Sequence, residues 1–157
     1  MIGWTLLLPI WSPTMTDLRL EREYPISAKK LFDLVTMPEH LSQWFGTEAV
    51  LIQKIEMDLT KTGPWICHMI GRDSGDRFKL SGQVTHVDAP KSVGFTWAWH
   101  DEQDQRGDES HVVFTVSGTP TGARLEVKHL DLSNREAAER HLAGWASTLA
   151  GLERLAK

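Results

Sequence analysis

One cysteine, Cys67, is all the thiol chemistry in this 157-residue sequence. A single thiol excludes an internal disulfide and any zinc site built on several thiolates, and a reducing cytoplasm is the expected setting. Cationic surplus is lacking too: Lys plus Arg total 17 against 21 for Asp plus Glu, a formal charge of −4. With nothing to displace the counterions of a phosphate backbone, a nucleic-acid partner is not expected. No apolar run approaches the roughly 20 residues that a membrane helix needs. Nucleophile-elbow, Walker, dinucleotide-glycine and His-Glu-x-x-His patterns are all missing, and the histidines are scattered without metal-ligand spacing. The acidic loop Asp101–Glu109 departs from a calcium loop because Arg106 stands where glycine is required. No cofactor, no metal and no catalytic residue is therefore expected. The 41% hydrophobic and 24% charged fractions, in a chain of this length, fit one globular domain.

What the chain has in excess is tryptophan, 7 against 1 tyrosine. Indoles are large, flat and mainly apolar with one donor each. They either fill a core or line a cavity for an apolar or aromatic ligand.

Met1–Thr14 carries no charge, and Pro9 and Pro13 interrupt its short apolar run, so it is neither a secretory signal nor a membrane span. Two readings stay open. Met15 is the true start and the preceding residues are over-called, or Trp4, Leu6, Leu8 and Trp11 dock on a groove of this chain or of a second copy in a homodimer. The domain division is thus an extension over 1–16 and a folded unit over 17–157.

Asp17–Tyr24 alternates as a half-buried strand with Leu18, Leu20 and Arg22 on one side. Ser27 caps a helix over Ala28–Val35, and Pro38 opens a second over Glu39–Trp44, closed by Gly46. From Ala49 to His129 turn signals recur without helical periodicity. Ala49–Ile55 with Met57–Leu59 reads as one irregular strand. Trp65–Ile70, Arg77–Val87 with a bulge at Gly82, Ser92–Trp99, Ser110–Ser117 and Arg124–Leu130 follow, an antiparallel sheet of six or seven strands. Ser133-Asn134-Arg135-Glu136 reads as a capping box for a terminal helix. Ala138, His141 or Leu142, Trp145, Leu149 and Leu152 form its buried stripe. Such a helix, about 30 Å long, crosses six strands spanning about 24 Å. The expected fold is α+β: a curved antiparallel sheet wrapped on a long C-terminal helix, with two short helices after the first strand.

The same order carries a resemblance. Tyr24–Phe32 (YPISAKKLF) and Met37–Phe45 (MPEHLSQWF) resemble the opening strand-to-helix segment and second helix of the START-like (SRPBCC) superfamily. Gly82–Pro90 followed by Val93–Trp97, Gly122–His129, and Gly144-Trp145 with Leu149 and Leu152 are similar to its later strands and terminal helix. Together they resemble the subgroup named for the activator of the ninety-kilodalton heat-shock chaperone ATPase, over Asp17–Lys157. Ala89 stands where that pattern has a first proline, and Met1–Thr14 has no counterpart. The resemblance implies the helix-grip fold.

An empty cavity costs about 24 cal/mol per Å³, so a dry void of roughly 300 Å³ would cost about 7 kcal/mol, comparable with the stability of a whole domain. Side chains, water or a ligand must fill it. Strand alternation puts Val93, Phe95, Trp97 and Trp99 on one face and Trp65, Cys67 and Met69 on another, both candidates to face Trp145. The candidate ligand-binding set is Trp44, Trp65, Met69, Phe78, Phe95, Trp97, Trp99, Phe114, His129, His141 and Trp145. His129 and His141 are its polar members, either bonded to backbone at a cavity rim or orienting a ligand by a contact or a proton. Cys67, mid-strand, is expected to be buried and inert.

Three functions follow. First comes non-enzymatic binding of a small hydrophobic or aromatic molecule in the cavity, which the aromatic lining and the superfamily resemblance imply. Second is a protein-interaction module, because the subgroup's name-giving members stimulate a chaperone by binding its surface. Third is a cyclase- or aromatase-like enzyme, ranked last because the sequence offers no recognisable catalytic dyad.

Overall fold

The structure, a computed structural model, describes residues 16–157; both readings of the N-terminal tail lie outside the described residues. Its first strand, β1 (Thr16–Tyr24), buries Leu18, Leu20 and Tyr24, while Arg22 is exposed and donates to the Glu21 carbonyl at 2.8 Å. Pro25 ends the strand and Ser27 accepts the Lys30 amide, starting α1 (Ala28–Thr36). Met37 separates it from α2 (Pro38–Trp44), where Pro38 takes a first-turn position whose missing N–H has no intrahelical partner to lose.

Six more strands follow in hairpin order: β2 (Val50–Glu56), β3 (Gly63–Gly71), β4 (Arg77–Asp88), β5 (Ser92–Trp99), β6 (Ser110–Thr119) and β7 (Gly122–Leu132). The last element is α3 (Arg135–Glu153). The strands make one seven-stranded antiparallel sheet in the order β1-β7-β6-β5-β4-β3-β2. The two short helices carry the chain from one edge strand to the other. Alternation sends Val112, Phe114 and Val116 of β6, Leu125, Val127 and His129 of β7, and Phe95 and Trp97 of β5 into the interior. The helix α3 closes that face: Tyr24 Oη donates to the Leu149 carbonyl at 3.1 Å, and the Trp145 ring lies 5.7 Å from Phe114 and 5.4 Å from Trp97.

Three local expectations are corrected. Met57 and Leu59 are buried but not in a strand, because β2 ends at Glu56 and the Leu59 amide donates instead to Thr36 O of α1. The irregular register of β4 against β5 falls between Val84 and His86, not at Gly82. Gly82 serves close approach: a Cβ there would lie 2.0 Å from Thr96 O and 2.7 Å from Trp65 Nε1. Its bare backbone lets Trp65 Nε1 reach across β4 and donate to Thr96 O at 2.9 Å. The α3 cap is Asn134, not Ser133, with Asn134 Oδ1 accepting the Ala137 amide at 2.8 Å.

Candidate functional site

Between the interior face of β3–β5 and α3 lies a cavity of about 390 Å³. Its wall includes Met69 of β3, Phe78 and Leu80 of β4, Trp97 and Trp99 of β5, and Arg140, His141, Gly144, Trp145 and Thr148 of α3. Phe45, Gly46 and Thr47, from the α2–β2 connection, and Val50, the first residue of β2, complete it. Phe78 and Trp99, 38% and 37% exposed, are its most open apolar members and mark the mouth. Their rings meet edge to face at 6.3 Å.

Of the residues singled out in the sequence, Met69, Phe78, Trp97, Trp99, His141 and Trp145 are brought to this wall. Trp44, Trp65, Phe95, Phe114 and His129 are not; the structure places them in the core behind it. The reason is depth. Phe95 stacks edge to face between Trp65 (5.8 Å) and Phe114 (5.3 Å). Trp44 is held by α1, its Nε1 donating to Leu34 O at 2.7 Å. Several wall residues were not singled out in the sequence: Phe45, Gly46, Thr47, Val50, Leu80, Arg140, Gly144 and Thr148. A signal for three of them existed. Arg140, Gly144 and Thr148 recur every four residues, a helical row beside His141 and Trp145.

The two histidines are fixed by indole donors. Trp99 Nε1 donates to His141 Nε2 at 3.0 Å, so His141 carries its proton on Nδ1 and donates it to Ala137 O at 2.7 Å. This explains why His141 rather than Leu142 faces inward; Leu142 is 42% exposed. Trp145 Nε1 donates to His129 Nδ1 at 3.1 Å, which leaves His129 Nε2–H to donate to Ser110 Oγ at 2.7 Å. Ser110 in turn donates to Trp97 O at 3.3 Å. Burial, with His141 and His111 adding to it, lowers the His129 pKa to about 3. Burial, reinforced by Arg140, also lowers that of His141. Both imidazoles are thus neutral with both ring nitrogens engaged, His141 to a backbone carbonyl and an indole, His129 to side chains alone. Neither has a lone pair free for acid–base work.

Trp97 is at the centre of the aromatic cluster. Its ring lies 5.9 Å from Trp65, 6.0 Å from Trp99 and 5.2 Å from His129, and its buried Nε1 has no hydrogen-bond partner among the described residues. Cys67 is buried, and desolvation pushes its thiol up to about 12, so it is a small hydrophobe at neutral pH. Among the described residues no group of three or more His, Cys, Asp or Glu side chains could hold a metal ion, and no helix is long and apolar enough to cross a membrane.

The model of the activator of Hsp90 ATPase homolog 1-like protein family matches residues 25–157. A crystal structure of a protein of that family from Silicibacter pomeroyi is 46% identical, with 88% of this chain and 96% of that chain covered and a TM-score of 0.83. Two solved structures below 25% identity share the fold. A Chromobacterium violaceum protein is 17% identical over 89% of this chain and 96% of its own, with a TM-score of 0.78. An Aeromonas hydrophila relative solved by NMR is 18% identical over 88% and 90%, with a TM-score of 0.70. No curated protein matches the sequence.

Proposed function

The chain belongs to the activator of Hsp90 ATPase homolog 1-like family, and from that premise we propose that it binds a small hydrophobic or aromatic molecule in the cavity between β3–β5 and α3. One observation carries the reading: a cavity of about 390 Å³ walled by Trp97, Trp99, Trp145, Phe78 and Met69, within the size range of small-molecule sites. Flat indole faces reward a planar apolar guest by burial and stacking. Binding without turnover agrees with the two imidazoles, whose nitrogens are already committed to Trp99, Trp145, Ala137 and Ser110. The rim offers Arg140 as its charged group. A cytoplasmic location belongs to the same reading, in keeping with the lone buried thiol.

A second reading, docking of a protein such as a chaperone, is favoured by the exposed pair Phe78 and Trp99 at the mouth. One experiment separates them. A Cβ on Gly144 would meet only Thr47 Cγ2, at 3.6 Å, so Gly144→Leu adds its remaining atoms to the cavity without displacing backbone. The neutral fluorophore N-phenyl-1-naphthylamine should bind the parent protein with quenching of tryptophan emission and lose at least tenfold in affinity in Gly144→Leu. Native mass spectrometry of the freshly purified protein should show a co-purifying apolar compound. Equal binding by both proteins would move the ligand off this cavity and leave the docking surface as the better account.

A further inference from the structure

We propose that the opposite face of the sheet carries a second, chemically distinct site: a Ser81–His100–Asp104 triad, assisted by Arg106, that cleaves small carboxylic esters through an acyl-serine. Ser81 alternates with the buried Leu80 and so projects away from the aromatic cavity. It pairs with Ala98 of β5, and His100, two residues further on, falls on the same side beside it. The loop after β5 then returns Asp104 to the imidazole. Its path is set by Asp101 Oδ1 accepting the Gln103 and Gln105 amides at 2.9 Å and by a bridge between His100 and Arg106.

Ser81 Oγ lies 2.7 Å from His100 Nε2, and His100 Nδ1 lies 2.8 Å from Asp104 Oδ1. Arg106 Nε donates to Ser81 Oγ at 3.0 Å and Arg106 Nη2 to Ser81 O at 3.0 Å. Lys79 Nζ is 2.8 Å from Asp104 Oδ1, and its hydrogen bond, with that of His100, holds the carboxyl below the usual range.

The ends of this chain fix its direction. A guanidinium only donates and a carboxylate only accepts. Arg106 therefore donates to Ser81 and Asp104 accepts from His100 Nδ1–H; in that tautomer His100 Nε2 accepts from Ser81, the polarity that lets an imidazole take a serine proton. The buried Ser110–His129 pair has the opposite polarity, because Trp145 donates to the imidazole and Ser110 passes its own proton to Trp97 O. Of these two Ser–His pairs, the one outside the core is oriented for nucleophilic attack.

A cleft of about 420 Å³ adjoins it, with Pro64, Ile66 and Gln83 beside Ser81, His100 and Arg106. In the reaction, Ser81 Oγ forms a bond to the ester carbonyl carbon as His100 Nε2 takes the serine proton. The carbon–alkoxide bond then breaks, and His100 returns that proton to the departing alcohol. Water, deprotonated by His100, next attacks the acyl-serine, releasing the carboxylic acid and restoring the Ser81 hydroxyl. Arg106 places positive charge beside Ser81 Oγ, while its Nη1 donates to Glu109 Oε2 at 2.9 Å.

The test is hydrolysis of p-nitrophenyl acetate by the full chain, with peptide mass spectrometry of the trapped acyl-enzyme and of a fluorophosphonate adduct. Both labels should map to Ser81. Ser81→Ala should lower the rate at least 100-fold while keeping the thermal midpoint, and Asp104→Asn, a positioning residue, should lower kcat at least tenfold with KM unchanged. Gly144→Leu, which fills the aromatic cavity, should hydrolyse the ester as the parent does, so failure here is distinguishable from failure of the cavity reading. Labelling of Lys79 or another residue in place of Ser81, or a Ser81→Ala protein as active as the parent, overturns the proposal.

Discussion

At the residue scale the decisive feature is the pairing of each interior histidine with a tryptophan donor. An indole N–H can only give a proton, so each imidazole it meets must accept, and protonation would turn that hydrogen bond into a clash of two donors. The native pKa of His129, about 3, lies below the ordinary 6.5 that the unfolded chain shows. Between those values the unfolded chain binds a proton that the native state refuses, so stability falls as pH drops through that window and is flat above it. The slope is about 1.4 kcal/mol per pH unit for one group. Urea denaturation at pH 6.5 and 4.5 should show the parent losing about 2–3 kcal/mol more than His129→Gln, which cannot titrate. The variant itself is less stable at neutral pH because the ring's packing against Trp97 and Trp145 is lost. Equal acid sensitivity in the two proteins would show that His129 is already protonated, or already free to be, in the folded state.

At the element scale the balance between what the sequence declares and what it hides is clear in α3. Its existence and inward stripe were legible because Ala138, Trp145, Leu149 and Leu152 repeat at helical spacing. The choice between His141 and Leu142 was not, since hydropathy favours leucine while the bonds to Trp99 and Ala137 that favour histidine come from outside the local sequence. The strands show the same division. Alternation identified the faces of Trp65, Phe95 and Trp97, yet not their depth, which depends on where α2 and α3 lie over the sheet. The Ser81–His100–Asp104 cluster was hidden because its members meet through strand register and loop return and share no contiguous motif. The α3 start offers a sharp check on local reading. Ser133 and Asn134 are both good capping residues, but only Asn134 bonds a first-turn amide, Ala137 N, at 2.8 Å. Asn134→Ala should therefore cost about 1 kcal/mol in urea denaturation, and Ser133→Ala only a few tenths. The reverse ranking would move the helix start by one residue.

At the scale of the whole molecule, a curved sheet and a single helix touch fully along part of their length and stand apart elsewhere. Where they touch, Phe114, Trp145 and Leu149 make a continuous core; where they part, the interval between β3–β5 and α3 remains as the cavity of about 390 Å³. Gly144, one residue before Trp145, keeps it open from the helix side. Occupancy should then strengthen the whole fold, because a guest touches sheet, α2–β2 connection and helix at once and binds only when all three are in place. For a ligand at 100 times its dissociation constant the linkage amounts to about 2.7 kcal/mol. In a domain of this size that raises the thermal midpoint by roughly 5–10 °C. Calorimetry with a saturating naphthylamine should show this rise in the parent. In Gly144→Leu the ligand should leave the midpoint unmoved, while the ligand-free midpoint equals or exceeds the parent's, since leucine favours helix over glycine by about 0.8 kcal/mol. A ligand-induced rise of equal size in both proteins would mean that the stabilising contact is made somewhere other than between the sheet and its helix.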